Sequence, residues 1–308
     1  MPENQKDKPK LLVIVGPTAS GKSDLAVRLA QKFNGEVISA DSRQVYKGLD
    51  IGTGKITLAE MKGVPHHLLD VAEPDQRFTA MDWKGLAEKA IDDILSRGKL
   101  PIICGGTGFY ISTLIDDLGF PDVEADTEEQ KELEAKPVDE LFKELKRYDP
   151  ARSATIDPKN KRRLARAILI ARTLGAVPAV TRPTEPKYDV AMIGIRPSDD
   201  ELKERIRTRL IARLDTGMIA EAERLHASPP AGSGLSYERM DELGLEYRYL
   251  GYFLQKKLTR EELIEKLSSK IWQYAKRQMT WFKKDERIEW YAPSDIELIE
   301  KAIEKFLQ

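Results

Sequence analysis

The chain has 308 residues, enough for one large α/β unit with an insertion or for two modest domains. Its 41% hydrophobic and 33% charged residues describe a soluble globular protein, not a disordered one, and no apolar run approaches the ~20 residues of a membrane span. Lys and Arg total 50 against 51 Asp and Glu, so overall charge points to no polyanionic partner, and a single cysteine, Cys104, excludes an internal disulfide and a cysteine-rich zinc site.

The first ten residues, MPENQKDKPK, are charged and lack an apolar core, so they do not read as a secretory signal. A cytoplasmic, reducing setting is expected. LLVIV (11–15) predicts a buried strand, followed by a glycine loop and a helix from about Ser23 to Phe33. EVISA (36–40) predicts a second strand leading to Asp41, and HHLLDV (66–71) a short third one. MDWKGLAEKAIDDILSRG has apolar residues at helical spacing and ends in Gly98, a C-cap residue type. PIIC (101–104) is again strand-like and runs into GGTGFYISTLI, a glycine turn opening a helix. This alternation predicts an α/β fold: a P-loop parallel sheet core flanked by helices.

Past Phe120 the pattern changes. Residues 121–186 carry charged helical segments and no strand-like run, which predicts an all-helical insertion between a first core part (1–120) and a return to the core with C-terminal helices (187–308). DVAMIGIRP (189–197) resumes the α/β pattern, and IEWY (288–291) predicts a last edge strand.

Gly16, Pro17, Thr18, Ala19, Ser20, Gly21, Lys22 and Ser23 satisfy G-x-x-x-x-G-K-S/T, with a strand before and a helix after. The loop N–H groups and the helix N-terminus suit a di- or triphosphate. Lys22 adds a fixed charge, and the Ser23 hydroxyl can ligate Mg²⁺. Such loops most often belong to nucleotide-binding, ATP-binding proteins. No guanine-reading N-K-x-D accompanies this one. Asp41 ends a strand whose tip should lie beside the loop, where a carboxylate can hold metal or act as a general base. Capping the following turn is an equally good reading of Asp41. Thr107 is similarly poised, as a donor to phosphate or as a helix cap.

Lys159, Lys161, Arg162, Arg163, Arg166 and Arg172 form a run without interspersed acids, a pattern that suits an RNA phosphate backbone. A second basic stripe includes Lys276 and Arg277 and is interleaved with Trp272, Tyr274, Trp281 and Phe282. At helical spacing Tyr274 and Trp281 read first as core, and second as stacking groups for unpaired bases. His66 and His67 have only His226 as a further histidine and read as structural.

Taken as a set, GPTASGKS (16–23), ADSRQVYKGLDIGTGK (40–55), GVPHHLLD (63–70), GGTGFY (105–110), DPKNKRRLARAI (157–168) and YAKRQMTWF (274–282) resemble the tRNA dimethylallyltransferases, also called tRNA isopentenyltransferases. The likeness runs from about Leu11 to about Tyr291. It implies transfer of the five-carbon group of dimethylallyl diphosphate to N6 of the adenosine on the 3′ side of the tRNA anticodon, with Mg²⁺ and without ATP. It also implies Asp41 as the base, Thr107 and Lys22 as partners at the reacting centre, and Ser42, Arg43, Gln44 and Arg248 as tRNA contacts. The resemblance adds weight to Arg162, Arg163 and Arg166. The sequence departs from the family pattern at Ile271-Trp272, Gln130 and Phe253, where relatives usually carry basic groups. A monomer is expected. The competing readings are a small-molecule kinase with 121–186 as a lid, and a non-catalytic tRNA-binding scaffold.

Overall fold

The computed structural model describes residues 8–119, 121, 123, 127–180, 183, 185–227 and 234–308. The N-terminal tail 1–7, Phe120, Arg182 and Thr184 lie outside them. Two compact units divide the chain: Asp117–Thr184, and the two segments Met1–Asp116 and Glu185–Gln308 taken together.

Along the larger unit, β1 (Lys10–Val15) leads through the glycine loop into α1 (Lys22–Lys32). Then β2 (Gly35–Ser39) precedes α2 (Leu58–Met61), β3 (His66–His67) and α3 (Ala80–Ser96), and β4 (Leu100–Gly105) leads into α4 (Gly108–Ile115). The smaller unit holds α5 (Thr127–Ala135), α6 (Val138–Tyr148), α7 (Pro150–Ser153) and α8 (Lys161–Leu174). The chain returns as β5 (Asp189–Ile195), α9 (Asp199–Asp215), α10 (Met218–Ala227), α11 (Tyr237–Leu243), α12 (Leu245–Leu254), α13 (Arg260–Phe282), β6 (Ile288–Tyr291) and α14 (Ile296–Leu307).

All six strands pair in parallel, in the order β3-β2-β4-β1-β5-β6. Both faces of such a sheet must be covered, and the period-two alternation of β1 shows how. Leu11, Val13 and Val15 enter one core with residues of α3, α4 and α9 to α13, while Leu12 and Ile14 enter a second with residues of α1 and α14. Because β2, β4 and β1 are adjacent and parallel, their C-terminal ends share one edge. That edge carries Asp41, the Gly105–Thr107 turn and the glycine loop.

The third strand is shorter than HHLLDV predicts. Leu68 and Asp70 adopt φ of 64° and 56°, left-handed conformations that cannot continue a strand. His66 Nδ1 lies 2.9 Å from the Val64 carbonyl and His67 Nε2 lies 2.8 Å from Glu36 Oε2. Among the described residues, no group of three His, Cys, Asp or Glu side chains is arranged for a metal ion.

The smaller unit has its own core, with Leu133, Leu141, Leu145, Leu164, Ala165 and Ile168 buried between α5, α6 and α8. Its basic run is partly compensated from outside its own helix. Arg172 pairs with Glu129 and Glu144, and Lys161 donates to the Glu134 carbonyl at 3.2 Å. Acids absent from the linear run are supplied by α5 and α6. Gln130 is buried and donates to Glu134 at 2.7 Å.

Candidate active site

The glycine loop turns tightly because Ala19 and Gly21 both hold left-handed backbone, at φ 63° and 91°. α1 then begins at Lys22, whose ammonium donates to the Pro17 carbonyl at 3.2 Å. Burial lowers the Lys22 pKa, Arg209 nearby adds to the shift, and Asp41 opposes it. Ser23 is exposed, and Ser20 Oγ is buried without a hydrogen-bond partner.

Asp41 follows β2 directly. Its Oδ1 accepts the N–H of Arg43 at 2.8 Å and of Gln44 at 3.4 Å, which is the capping geometry of a turn. Among the described residues nothing bonds its Oδ2, so capping and availability for chemistry coexist in one carboxylate. Thr107 takes the N-cap position of α4 without a side-chain cap bond; its Oγ1 instead accepts Ser42 N–H at 3.0 Å, and its N–H donates to Ala40 O at 3.1 Å. Trp83, fully buried on α3, steadies this corner from below. Its indole donates to Ser39 O at 2.8 Å and its ring stacks on Tyr110 at 5.1 Å.

Gln278 on α13 joins the two glycine turns. It accepts Thr18 N–H at 2.8 Å and donates to Gly106 O at 3.0 Å. A Cβ at Gly106 would collide with that amide, so the turn needs glycine there.

Lys22, Ser23, Asp41, Ser42, Arg43, Gln44, Arg248 and Arg277 all line one cavity of about 390 Å³, with Thr18, Gly105, Tyr274 and Gln278. Thr107 stands behind its wall through the Ser42 bond. Within the cavity Arg248 is held by Asp241, with its Nε 2.8 Å from the carboxylate, and Arg277 lies over the Tyr274 ring. Burial raises the Tyr274 phenol, and Cys104, also in the wall, is pushed up to about 12, a neutral thiol. Lys276 is exposed and lies 5.6 Å over Trp272. A second cavity of about 380 Å³ adjoins the first, and the two share Lys22, Ser23, Gly54 and Arg209. Arg162 and Arg163 are exposed in the smaller unit, where Arg166 is half-buried and donates to Val123 O at 2.5 Å.

Sequence reading missed three features. Arg205, Arg209 and Arg213 recur at four-residue steps on α9, a stripe on one helix face. Arg205 and Arg209 line the second cavity, and burial lowers the Arg209 pKa. Arg213 turns inward, bonding Gly52 O at 2.9 Å and pairing with Glu246 at 3.3 Å. Glu221, 3% exposed, accepts three backbone N–H groups of residues 50–52 and the Tyr247 hydroxyl, so it fixes the loop that brings Thr53 and Gly54 to the cavity. Third, Trp281 is 42% exposed instead of lying in the core. The spacing signal failed there because α13 buries Ile271, Ala275, Gln278 and Phe282, a narrower face than its apolar content suggests. Ile271 is core and Phe253 packs against it, so neither departure leaves a gap.

A Mg²⁺ ion fits this donor set only in part. The exposed Ser23 hydroxyl opens to both cavities, yet among the described residues no cluster of carboxylates stands there to complete a coordination shell. Magnesium commonly keeps waters and takes phosphate oxygens, so one hydroxyl suits an ion that arrives with a phosphorylated substrate.

The sequence profile of the IPP transferase family matches residues 44–285. The tRNA dimethylallyltransferase of Anoxybacillus flavithermus is 39% identical over 302 residues, covering 97% of this chain and 95% of its own. The tRNA dimethylallyltransferase 2 of Pelobacter propionicus is 43% identical over 277 residues, covering 90% and 86%. Among solved structures, the full-length tRNA isopentenylpyrophosphate transferase of Bacillus halodurans superposes with a TM-score of 0.70 at 37% identity, over 97% of each chain. A eukaryotic dimethylallyltransferase caught acting on tRNA gives a TM-score of 0.77 at 28% identity, over 96% of this chain and 78% of that one.

Proposed function

Because the chain belongs to the IPP transferase family, we propose that it transfers a dimethylallyl group from dimethylallyl diphosphate to N6 of the adenosine on the 3′ side of the anticodon in tRNA, releasing diphosphate. One observation carries the reading: the strand-end carboxylate of Asp41 and the phosphate-loop lysine face the same cavity, whose rim bears Arg43 and Arg277.

In this reaction the allylic C–O bond breaks with its electron pair going to diphosphate, while the N6 lone pair forms the new N–C bond. An exocyclic adenine amine is a weak nucleophile, so the barrier falls if the leaving group is stabilised and the amine proton has somewhere to go. The loop Gly16–Ser23 supplies backbone N–H groups, other than at Pro17 and at Thr18, which is bonded to Gln278, and a helix N-terminus for the diphosphate. Lys22 and Arg209 supply fixed positive charge in a partly desolvated setting, where it counts for more. Asp41 takes the N6 proton. Its Oδ1 is held by Arg43 and Gln44 N–H groups, which orient the carboxylate toward the cavity. Thr107, tied to Ser42, keeps the adjoining backbone in register with the Gly105 turn.

Ser23 would hold Mg²⁺, which when bound neutralises charge on the leaving diphosphate. The target base must leave its stack to enter a cavity of this kind. Ser42, Arg43, Gln44, Arg248, Lys276 and Arg277 then meet the anticodon loop, and Arg162, Arg163 and Arg166 the phosphate backbone. Among the described residues no helix is long and apolar enough to cross a membrane, and we take the enzyme to work as a cytoplasmic monomer.

The test is incubation with tRNA, Mg²⁺ and dimethylallyl diphosphate without ATP, followed by mass analysis of the nucleosides. A heavier adenosine is expected, and Asp41→Ala should lower turnover by about 100-fold or more with RNA retention near wild type. Phosphate transfer from ATP to a small acceptor, with no RNA product, would overturn the reading.

A further inference from the structure

Two exposed aromatic side chains stand together beside the cavity. Phe109 and Trp281 are each 42% exposed, and their rings meet edge to face with centroids 6.3 Å apart. Large exposed aromatics in contact with one another are an expensive arrangement for a solvent-facing surface, since burying either would be favourable. The fold has gone to some length to hold them there. Phe109 opens α4, two residues past Thr107, and Trp281 packs so closely on Gly108 that a Cβ at that glycine would collide with the indole.

On α13, positions three and four apart share a face. Tyr274, Arg277 and Trp281 therefore form one stripe, and Lys284 follows two residues past the end of the helix. The stripe begins inside the cavity, which Tyr274 and Arg277 line, and ends outside it at Trp281. Arg277 and Trp281 are about one helical turn apart, about 6 Å along the axis. Lys283 and Lys284, just after the last helical residue, are exposed, and no acidic side chain pairs with them among the described residues, whereas Lys276 lies over Trp272 on another face of the helix. An aromatic platform with Arg277 one helical turn before it and Lys283 and Lys284 just after it, beside a cavity that a single base could enter, matches the chemistry of an unstacked nucleotide: a π-face flanked by phosphates.

We propose that Phe109 and Trp281 form a stacking platform for the unpaired nucleobase next in the RNA chain to the one that enters the cavity, with Arg277 and Lys284 facing its phosphates. This deepens the functional reading above and rests on it for the identity of the RNA. The platform replaces stacking that the neighbour loses when the target base swings out, so it favours the opened loop over the closed one.

The test is a cycle of RNA affinities measured with an anticodon stem-loop, intact or with an abasic residue on the 5′ or 3′ side of the target adenosine. Trp281→Leu keeps apolar packing on Gly108 but removes the π-face. It should weaken binding of the intact loop by about tenfold. Trp281→Phe should recover most of that loss, and affinity for donor diphosphate should stay within about twofold of wild type. One abasic loop should bind wild type about tenfold more weakly and lose nothing further with Trp281→Leu. Equal losses for intact and both abasic loops, or a fall in donor affinity together with RNA affinity, would overturn the proposal in favour of a purely structural tryptophan. So would unchanged RNA affinity accompanied by a shift in oligomeric state on sedimentation. The readout is binding, so the cycle stands even if alkylation of RNA is never observed, an outcome that would sink only the functional reading.

Discussion

At the scale of single residues, the chemistry turns on charge held in a confined place. In the proposed reaction Lys22 must be protonated to grip a diphosphate, and burial, abetted by Arg209, brings its pKa below the usual 10.5. A depressed lysine loses its proton as pH rises through that lowered value. The kcat/KM for the donor should therefore fall on an alkaline limb whose midpoint lies below 10.5, since kcat/KM reports the free enzyme. Lys22→Arg, which stays charged, should lower activity for reasons of geometry but move that limb upward. A pH profile of both enzymes decides the matter, and an unmoved limb would mean that another group sets it. Lys22, Ser23 and Asp41 stand out as candidates in the sequence because fixed loop spacing and a strand end single them out, and in the structure all three line one cavity. Arg209 does not stand out. It sits on a helix whose buried positions, Leu202, Ile206, Leu210 and Leu214, make every intervening charge look like a solvated face. Only the four-residue recurrence of arginines hinted that one side of that helix faces the cavities.

Among elements, the decisive join is between α13 and the two glycine turns. Gln278 uses both ends of its amide there; its bond to the Gly106 carbonyl is buried and its bond from Thr18 N–H half-buried beside the cavity. Gln278→Leu keeps the volume but orphans Thr18 N–H and Gly106 C=O, at a cost of about 1–3 kcal/mol for each group left buried and unpaired. Donor affinity, measured by calorimetry, should drop at least tenfold, with a lower melting temperature, while stem-loop affinity changes little. Loss of RNA affinity alone would contradict the assignment. The strands flanking these turns were readable, because a parallel sheet buried on both faces leaves near-continuous apolar runs such as LLVIV. β3 was overestimated, since HHLLDV has the composition of a strand but not the backbone: Leu68 and Asp70 turn left-handed. The joining amide could not be read at all. Nothing local in KRQMT tells that one glutamine reaches a loop some 260 residues earlier.

For the molecule as a whole, a formal net charge of −1 hides a strongly uneven distribution. α8 starts with Lys161, Arg162 and Arg163 and has no acid in its first turn, so cations stand at the positive end of a helix dipole. That arrangement opposes helix stability by roughly 0.3–1 kcal/mol per charge, and a phosphate between the arginines would relieve it. Replacing Arg162 and Arg163 together by alanine should weaken tRNA binding and reduce the slope of log affinity against log salt by about 0.9 for each phosphate no longer neutralised. An unchanged slope would show that this face carries no phosphate. The expectation of a helical insertion over 121–186 rests on a break in the β-loop-α rhythm, and the smaller compact unit runs Asp117–Thr184. Strand order was beyond reading, because β1 finds its partners β4 and β5 far along the chain, by packing and not by local sequence.

The two adjoining cavities have Lys22, Ser23, Gly54 and Arg209 in common. For inhibitor chemistry that partition is an opening. A compound with an anionic hinge seated at the lysine could send a different arm into each chamber, so that potency and selectivity are tuned separately on the two arms of one small molecule.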